Sequence, residues 1–64
     1  MTKHLRQLAK NIDNIYTKGK VPQHQKAQRT YDILMDFVDK HPHLTDEVAR
    51  MMTDYQYFNK LLGS

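Results

Sequence analysis

The sequence predicts a small all-α protein, a three-helix bundle with short connections. The alternative is a helical arrangement whose core is completed by dimerisation. Three stretches repeat apolar residues at the three- and four-residue spacing of a helix face. The connections between them are only a few residues long, which favours antiparallel neighbours. No stretch shows the alternation of apolar and polar residues that is typical of a half-buried strand. With 64 residues, the chain is interpreted as a single helical domain, residues 1–64.

The first helix is predicted over about residues 3–18. Thr2 is expected to be its N-cap. Gly19 is expected to end it, because glycine readily adopts the left-handed conformation that closes a helix. The apolar residues of this helix form one narrow stripe: Leu5, Leu8, Ala9, Ile12, Ile15 and Tyr16. A narrow stripe predicts a helix that is polar over most of its surface.

The second helix, residues 23–40, is the most apolar and is predicted to be the one around which the others pack. Pro22 suits its first turn, and the His41-Pro42 pair is expected to end it, because proline disfavours the helical conformation in the preceding residue. One side carries Ala27, Tyr31, Leu34, Phe37 and Val38. Ile33 and Met35 extend this apolar arc past both of its edges. A single neighbouring helix could not cover so wide an arc.

The third helix is predicted over about residues 46–62, with Thr45 as its N-cap and Gly63 as its end. Its apolar stripe consists of Val48, Met51, Met52, Tyr55, Phe58 and Leu62. A helix-turn-helix motif would require a bend after Met52. Asp54 and Asn59 occupy positions that are normally apolar in that motif, so a continuous helix is the favoured interpretation.

The size of the chain favours association with a second copy. A domain of this length buries only about 60% of the surface of its unfolded chain. The chain has no cysteine for disulfides, and small domains without such cross-links often oligomerise. We expect Ile33 or Met35 to be exposed in a monomer, and a homodimer would bury it.

The expected location is the cytoplasm. No apolar run approaches the roughly 20 residues of a membrane span, and the residues after Met1 lack the apolar core of a signal peptide. With 27% charged and 39% hydrophobic residues in a clear periodic pattern, the chain is expected to fold rather than to be disordered.

Residues of the common catalytic and cofactor sites are scarce. The chain has one serine, Ser64, and no cysteine, so an activated nucleophile of either type is not expected. His41 and His43 could bind a transition metal if a third ligand converged on them, but an exposed turn is the favoured interpretation. The sequence therefore predicts a protein that is not an enzyme, with no catalytic residue, no metal site and no cofactor.

Charge is distributed unevenly along the chain. Residues 1–30 carry a net charge of +6, with Asp13 as their one acidic residue, and residues 31–64 carry −3. The cations of the first half are Lys3, Arg6, Lys10, Lys18, Lys20, Lys26 and Arg29. This asymmetry is typical of a surface for a polyanion, of complementary surfaces in an oligomer, or simply of a solvated helical surface.

Two functions remain open on these observations. Tyr57 and Leu61 lie opposite the stripe of the third helix, and an exposed aromatic residue beside an aliphatic one is typical of a contact surface. Together with Ile33 and Met35 they form the predicted partner-binding set. The favoured hypothesis is a small helical interaction module that docks on another protein and modulates it. The alternative is a basic helical nucleic-acid-binding protein that contacts phosphates through helix 1 and residues 18–29.

Overall fold

The computed structural model describes residues 3–63 and shows a small all-α bundle. Its α-helices are α1 (Lys3–Thr17), α2 (Gln23–Lys40), α3 (Thr45–Thr53) and α4 (Tyr55–Gly63), and a 3-10 turn at Pro42–Leu44 joins α2 to α3. No β-strand occurs within the described residues. The all-α prediction is confirmed, with four α-helices in place of three. The predicted N-cap Thr2 lies outside the described residues.

The connection from α1 to α2 follows the local signals in the sequence. The backbone N–H of Lys18 donates to the carbonyl of Asn14 at 3.0 Å and closes the last turn of α1. Gly19 then has a φ of 70°, in the left-handed region that favours glycine. Pro22 precedes α2, and its carbonyl accepts the N–H of Gln25 at 2.9 Å. The predicted end at Gly19 is therefore confirmed.

The corner between α2 and α3 corrects one prediction. His41 ends α2 as expected, and its backbone N–H donates to the carbonyl of Phe37 at 2.8 Å. Thr45 is the first residue of α3 rather than its N-cap. Its hydroxyl donates to the carbonyl of Pro42 at 2.7 Å, because the 3-10 turn places that carbonyl one turn before it.

The predicted continuous third helix is wrong, because Asp54 interrupts it. Asp54 has an extended backbone, with φ −119° and ψ 100°, and its N–H ends α3 on the carbonyl of Arg50 at 2.8 Å. Its side chain then caps α4, where Oδ1 accepts the N–H of Tyr57 at 3.2 Å. The hydroxyl of Thr53 also donates to the carbonyl of Ala49 at 2.9 Å, a bond typical of helix ends that bend.

The buried core is centred on α1 rather than on the second helix. Its buried apolar residues are Leu5, Leu8, Ala9 and Ile12 of α1, Val48 and Met51 of α3, and Leu61 of α4. α1 contacts all three other helices, whereas α2 and α4 make no contact with each other in the described part of the chain. The break at Asp54 explains this arrangement, because it lets α3 and α4 cover different sides of α1.

α2 presents a different face to the bundle from the one its apolar pattern predicts. Thr30 is its one buried residue, and Ile33, Leu34, Phe37 and Val38 pack partly buried against the core. Ala27 and Tyr31 are exposed. Because the apolar arc is wider than the surface available to cover it, part of that arc stays outside. No helix among residues 3–63 is both long and apolar enough to cross a lipid bilayer.

Candidate protein-interaction surface

The four residues of the predicted partner-binding set do not form one surface. Leu61 belongs to the core, with 5% of its surface exposed, and Ile33 packs against that core from α2. Tyr57 is partly buried, and the guanidinium carbon of Arg50 lies 4.5 Å from its ring centroid. Only Met35 is exposed. The predicted exposure of Leu61 was wrong because the break at Asp54 rotates the face that α4 presents to the core.

Five large hydrophobic side chains are exposed within the described residues, and three of them meet at one groove. The five, with their exposed fractions, are Tyr16 (49%), Tyr31 (59%), Met35 (51%), Met52 (44%) and Tyr55 (77%). The groove, here called the α1–α4 groove, has a volume of about 370 Å³. It is lined by Ile12, Asp13, Tyr16, Met51, Met52, Thr53, Tyr55 and Phe58.

The α1–α4 groove exists because α3 and α4 are separate helices. Tyr16 comes from the last turn of α1, Met52 from the end of α3 and Tyr55 from the start of α4. Buried Ile12 and Met51 form an apolar floor beneath these three exposed side chains. The groove was not predicted, because Met52 and Tyr55 were expected together on the inward stripe of one continuous helix.

One charged side chain lines the α1–α4 groove, and a second lies next to one of its lining residues. Asp13 lines it, is partly buried, and has no ion-pair or hydrogen-bond partner for its carboxylate among residues 3–63. The ammonium nitrogen of Lys26 lies 5.8 Å from the ring centroid of Tyr16, within reach of a cation–π attraction. The groove therefore offers an apolar floor, an aromatic rim, one hydrogen-bond acceptor and one nearby cation.

The seven predicted phosphate-contacting cations are spread over α1, the following connection and α2. Lys3, Lys10, Lys18, Lys20 and Arg29 are exposed, and Arg6 and Lys26 are partly buried. Arg29 shares a cavity with Asp32, Asn11 and Asn14, so a carboxylate stands beside one of the seven. Lys3 lines a different cavity from Arg29, so the structure does not gather the seven cations in one cavity.

Three histidines gather where α1, α2 and the 3-10 turn meet. The His4 and His41 rings stack with centroids 4.6 Å apart, Phe37 lies 4.7 Å from His41 on its own helix, and His43 lies 6.0 Å away. Partial burial of the ring lowers the pKa of His41 below its usual value of 6.5. Charge repulsion from His4, His43 and Lys40 lowers that pKa further.

This histidine cluster brings His4 next to His41 and His43, a pair that is already close together in the sequence. Only the antiparallel packing of α1 and α2 makes that third member recognisable. No group of three potential ligands within residues 3–63 is arranged to hold a metal ion.

Comparison of the chain with protein-family models, with curated proteins and with solved structures finds no match. The fold and the site together describe a small α-helical bundle with an open apolar groove on its surface.

Proposed function

We propose that this protein is a small non-enzymatic interaction module that docks on a partner protein through the α1–α4 groove and modulates that partner. The observation that carries the proposal is the convergence of Tyr16, Met52 and Tyr55 over an apolar floor. Exposed apolar surface that gathers in one concave place is typical of protein contact sites. Scattered apolar residues would need no such explanation.

The residue types at the groove suit a binding surface. Tyrosine supplies a large contact area with few rotatable bonds and is enriched among residues that dominate binding energies. Met52 adds a flexible side chain that can adapt to an incoming group. Burying one large apolar side chain of the partner is worth about 1.5 to 3 kcal/mol. A stable complex therefore requires the rim residues to contribute as well.

The charge around the groove selects the chemistry of the partner. α1 and the connection that follows it belong to the half of the chain with a net charge of +6, α3 and α4 belong to the half with −3, and Lys26 lies beside Tyr16 on the α1 side. An acidic segment with an aromatic or aliphatic anchor would be attracted to this region. The unpaired carboxylate of Asp13 would accept a hydrogen bond from a backbone or side-chain N–H of that segment.

Peptide selection on the purified protein tests this proposal. We expect the enriched peptides to combine a large apolar anchor with Asp or Glu, and their affinity in solution can be measured by fluorescence anisotropy. Tyr55→Asp should weaken binding at least tenfold, because it places a negative charge at the rim. Tyr31→Asp is the matched control, since Tyr31 is also an exposed tyrosine, at 59% against 77% for Tyr55, but lies outside the groove. Equal loss in both variants, or in neither, would contradict docking at the groove.

Nucleic-acid binding is the second candidate, and a separate observation favours it. Five of the seven cations in residues 1–30 are exposed, and Asp13 is the one carboxylate in that part of the chain. Such residues can neutralise phosphates with strong salt dependence. Anisotropy titrations with labelled DNA and RNA at two salt concentrations separate the candidates. Tight binding that weakens steeply with salt and with Lys18→Glu would support this second function over the first.

The cytoplasmic location and the absence of catalytic activity remain predictions that belong to this proposal. Both can be checked alongside it. Fluorescence microscopy of the tagged protein in its host tests the first. Titration of the protein into its partner tests the second, because modulation by docking needs about one equivalent of the protein, and modulation by far smaller amounts would contradict it.

A further inference from the structure

Three aromatic side chains line the α1–α4 groove, and they come from two different helices. Tyr16 belongs to α1, and Tyr55 and Phe58 belong to α4. None of these three rings stacks on another in the part of the chain that the structure describes. The space between the rings is therefore open, and a group that enters the groove can reach more than one of them.

The groove also contains one charged group. Asp13 is the one charged residue among the described residues that line it, and its carboxylate has no ion-pair or hydrogen-bond partner within residues 3–63. Asp13 is partly buried, so water solvates this carboxylate less completely than it solvates a fully exposed one. A charge that is withdrawn from water is costly without a counter-charge. A cation therefore suits the groove better than a neutral molecule or an anion does.

The aromatic lining favours a cation as well. Aromatic rings attract cations through the negative potential at their faces. One of the three rings already has such a neighbour, because the ammonium nitrogen of Lys26 lies 5.8 Å from the ring centroid of Tyr16. Lys26 is not among the residues that line the groove, so it approaches Tyr16 from outside. The groove side of Tyr16 and the rings of Tyr55 and Phe58 remain open to a second cation.

The lining residues also indicate which kind of cation fits. A divalent metal ion needs several oxygen or nitrogen ligands, whereas Asp13 is the one carboxylate here, with no histidine beside it. A primary ammonium is strongly hydrated and has three N–H donors to satisfy, and the hydroxyl of Thr53 already donates to the carbonyl of Ala49. A quaternary ammonium has no N–H and presents methyl groups. It needs only a counter-charge and aromatic contact.

We propose that the α1–α4 groove binds a small molecule with a quaternary ammonium group, a compound of the choline class. The methyl groups contact Tyr16, Tyr55 and Phe58, and the carboxylate of Asp13 balances the charge. The groove volume of about 370 Å³ lies near the lower end of the roughly 300 to 1,000 Å³ of small-molecule sites, so it suits a ligand with a single cationic group. This site shares the groove with the proposed function, but ligand binding requires no partner protein.

Choline chloride is the probe for the wild-type protein, and amide chemical shifts measured by NMR follow its binding. Its uncharged counterpart 3,3-dimethyl-1-butanol has the same shape with carbon in place of nitrogen, and ethanolamine carries a primary ammonium. We expect choline to bind about tenfold more tightly than either compound, with the largest shifts at the groove. Sodium chloride at equal concentration controls for ionic strength. These comparisons need no variant, so they do not depend on how a substitution affects folding.

Two substitutions separate the contribution of the charge from that of the rings. Asp13→Asn keeps the size of the side chain and should weaken choline binding about tenfold, while binding of the uncharged alcohol stays the same. Tyr55→Leu keeps an apolar side chain without a ring and should weaken choline binding about threefold. Tyr31→Leu is the matched control and should have no effect, because Tyr31 is exposed and lies outside the groove. Circular dichroism spectra confirm that each variant is folded.

Three results would overturn this proposal. The first is no shift at the groove with choline at about 20 mM, and the second is equal binding of choline and its uncharged counterpart, which would make the groove a general apolar site. The third is a trimethyllysine peptide that binds more than about tenfold tighter than choline, which would replace the small molecule by a methylated protein segment. Because no partner protein is present in these titrations, the docking proposed above can succeed or fail separately.

Discussion

α1 and α2 lie side by side, and they differ in how much of their surface the rest of the protein covers. α1 buries four residues and borders all three other helices. α2 is longer and carries a wider apolar arc, yet it buries one residue and has no contact with α4 within the described residues. Burial therefore depends on the number of neighbours around a helix. The apolar content of the helix alone does not decide it.

A matched pair of leucines gives the largest expected contrast between α1 and α2. Leu8→Ala in α1 should lower the free energy of unfolding by about 2 to 5 kcal/mol, because Leu8 is 3% exposed and its removal leaves a cavity. Leu34→Ala in α2 should cost about 1 to 2 kcal/mol, since Leu34 is only partly buried. Urea denaturation measures both values. Equal costs would mean that α2 is as central as its apolar pattern suggests.

α1 is central partly because α4 packs against it. The break at Asp54 allows α4 to turn toward α1. Asp54→Ala removes the side chain that accepts the N–H of Tyr57 and should cost about 1 kcal/mol. Asp39→Ala on the exposed side of α2 is the control and should change stability little. A more stable Asp54→Ala protein would indicate that the continuous helix is the preferred state and that the break is strained.

The connection between α1 and α2 offers a comparison of two glycines. Gly19→Ala should lower the free energy of unfolding by about 1 kcal/mol, because its φ of 70° is strained for any residue with a Cβ. Gly63→Ala should be neutral or slightly stabilising, since Gly63 is helical and equally free of close neighbours. Thermal melts of the two variants measure this difference. An equal decrease in melting temperature in both would show that the φ of Gly19 is not the cause.

The smallest expected effect is a pH dependence of the free energy of unfolding, which comes from the histidine cluster where α1 meets the end of α2. The pKa of His41 is lowered in the folded protein, mainly by partial burial and then by His4 and His43. His41 therefore binds a proton more readily in the unfolded chain than in the folded protein. Because protonation then favours the unfolded chain, the free energy of unfolding should decrease as the pH falls from 7 through 6.

A variant without the titrating ring provides the control for this pH effect. His41→Gln should show a smaller decrease in melting temperature between pH 7 and pH 5.5 than the wild type does. Asp36, which lines the same cavity as His41, is unchanged in both proteins. Identical pH dependence in the two proteins would show that His41 does not contribute.

Local sequence signals predicted where the helices end better than the apolar pattern predicted which side of each helix is buried. Gly19 and the His41-Pro42 pair end their helices as expected, because glycine and proline act on the backbone of their immediate neighbours. Asp54 carries a local signal too, since an aspartate three residues before Tyr57 can cap its N–H. That signal was not used in the prediction, in which Asp54 counted only as a polar residue at a position that a helix-turn-helix motif normally fills with an apolar one, so that a continuous helix was favoured.

The groove could not be predicted, because it depends on contacts between distant parts of the chain. Tyr16 and Tyr55 both belong to apolar stripes, and a stripe does not show which of its members lies beyond the edge of the core. On α2, Tyr31 was expected inside and lies outside, and Ile33 was expected at the edge and packs against the core. Which part of a wide arc is covered depends on the neighbouring helices.

Because of the break at Asp54, α4 is a separate short helix that can unfold locally more easily than the rest of the bundle. α4 has nine residues, which is too short for a helix to persist in water by itself. It is helical only while α1 and α3 hold Leu61 in the core, so its local opening should be among the lowest-energy fluctuations of the bundle. Such an opening would expose Leu61 and remove Tyr55 and Phe58 from the groove in one event. Amide hydrogen exchange in α4 therefore reports how often the groove is complete, and a ligand in the groove should slow that exchange.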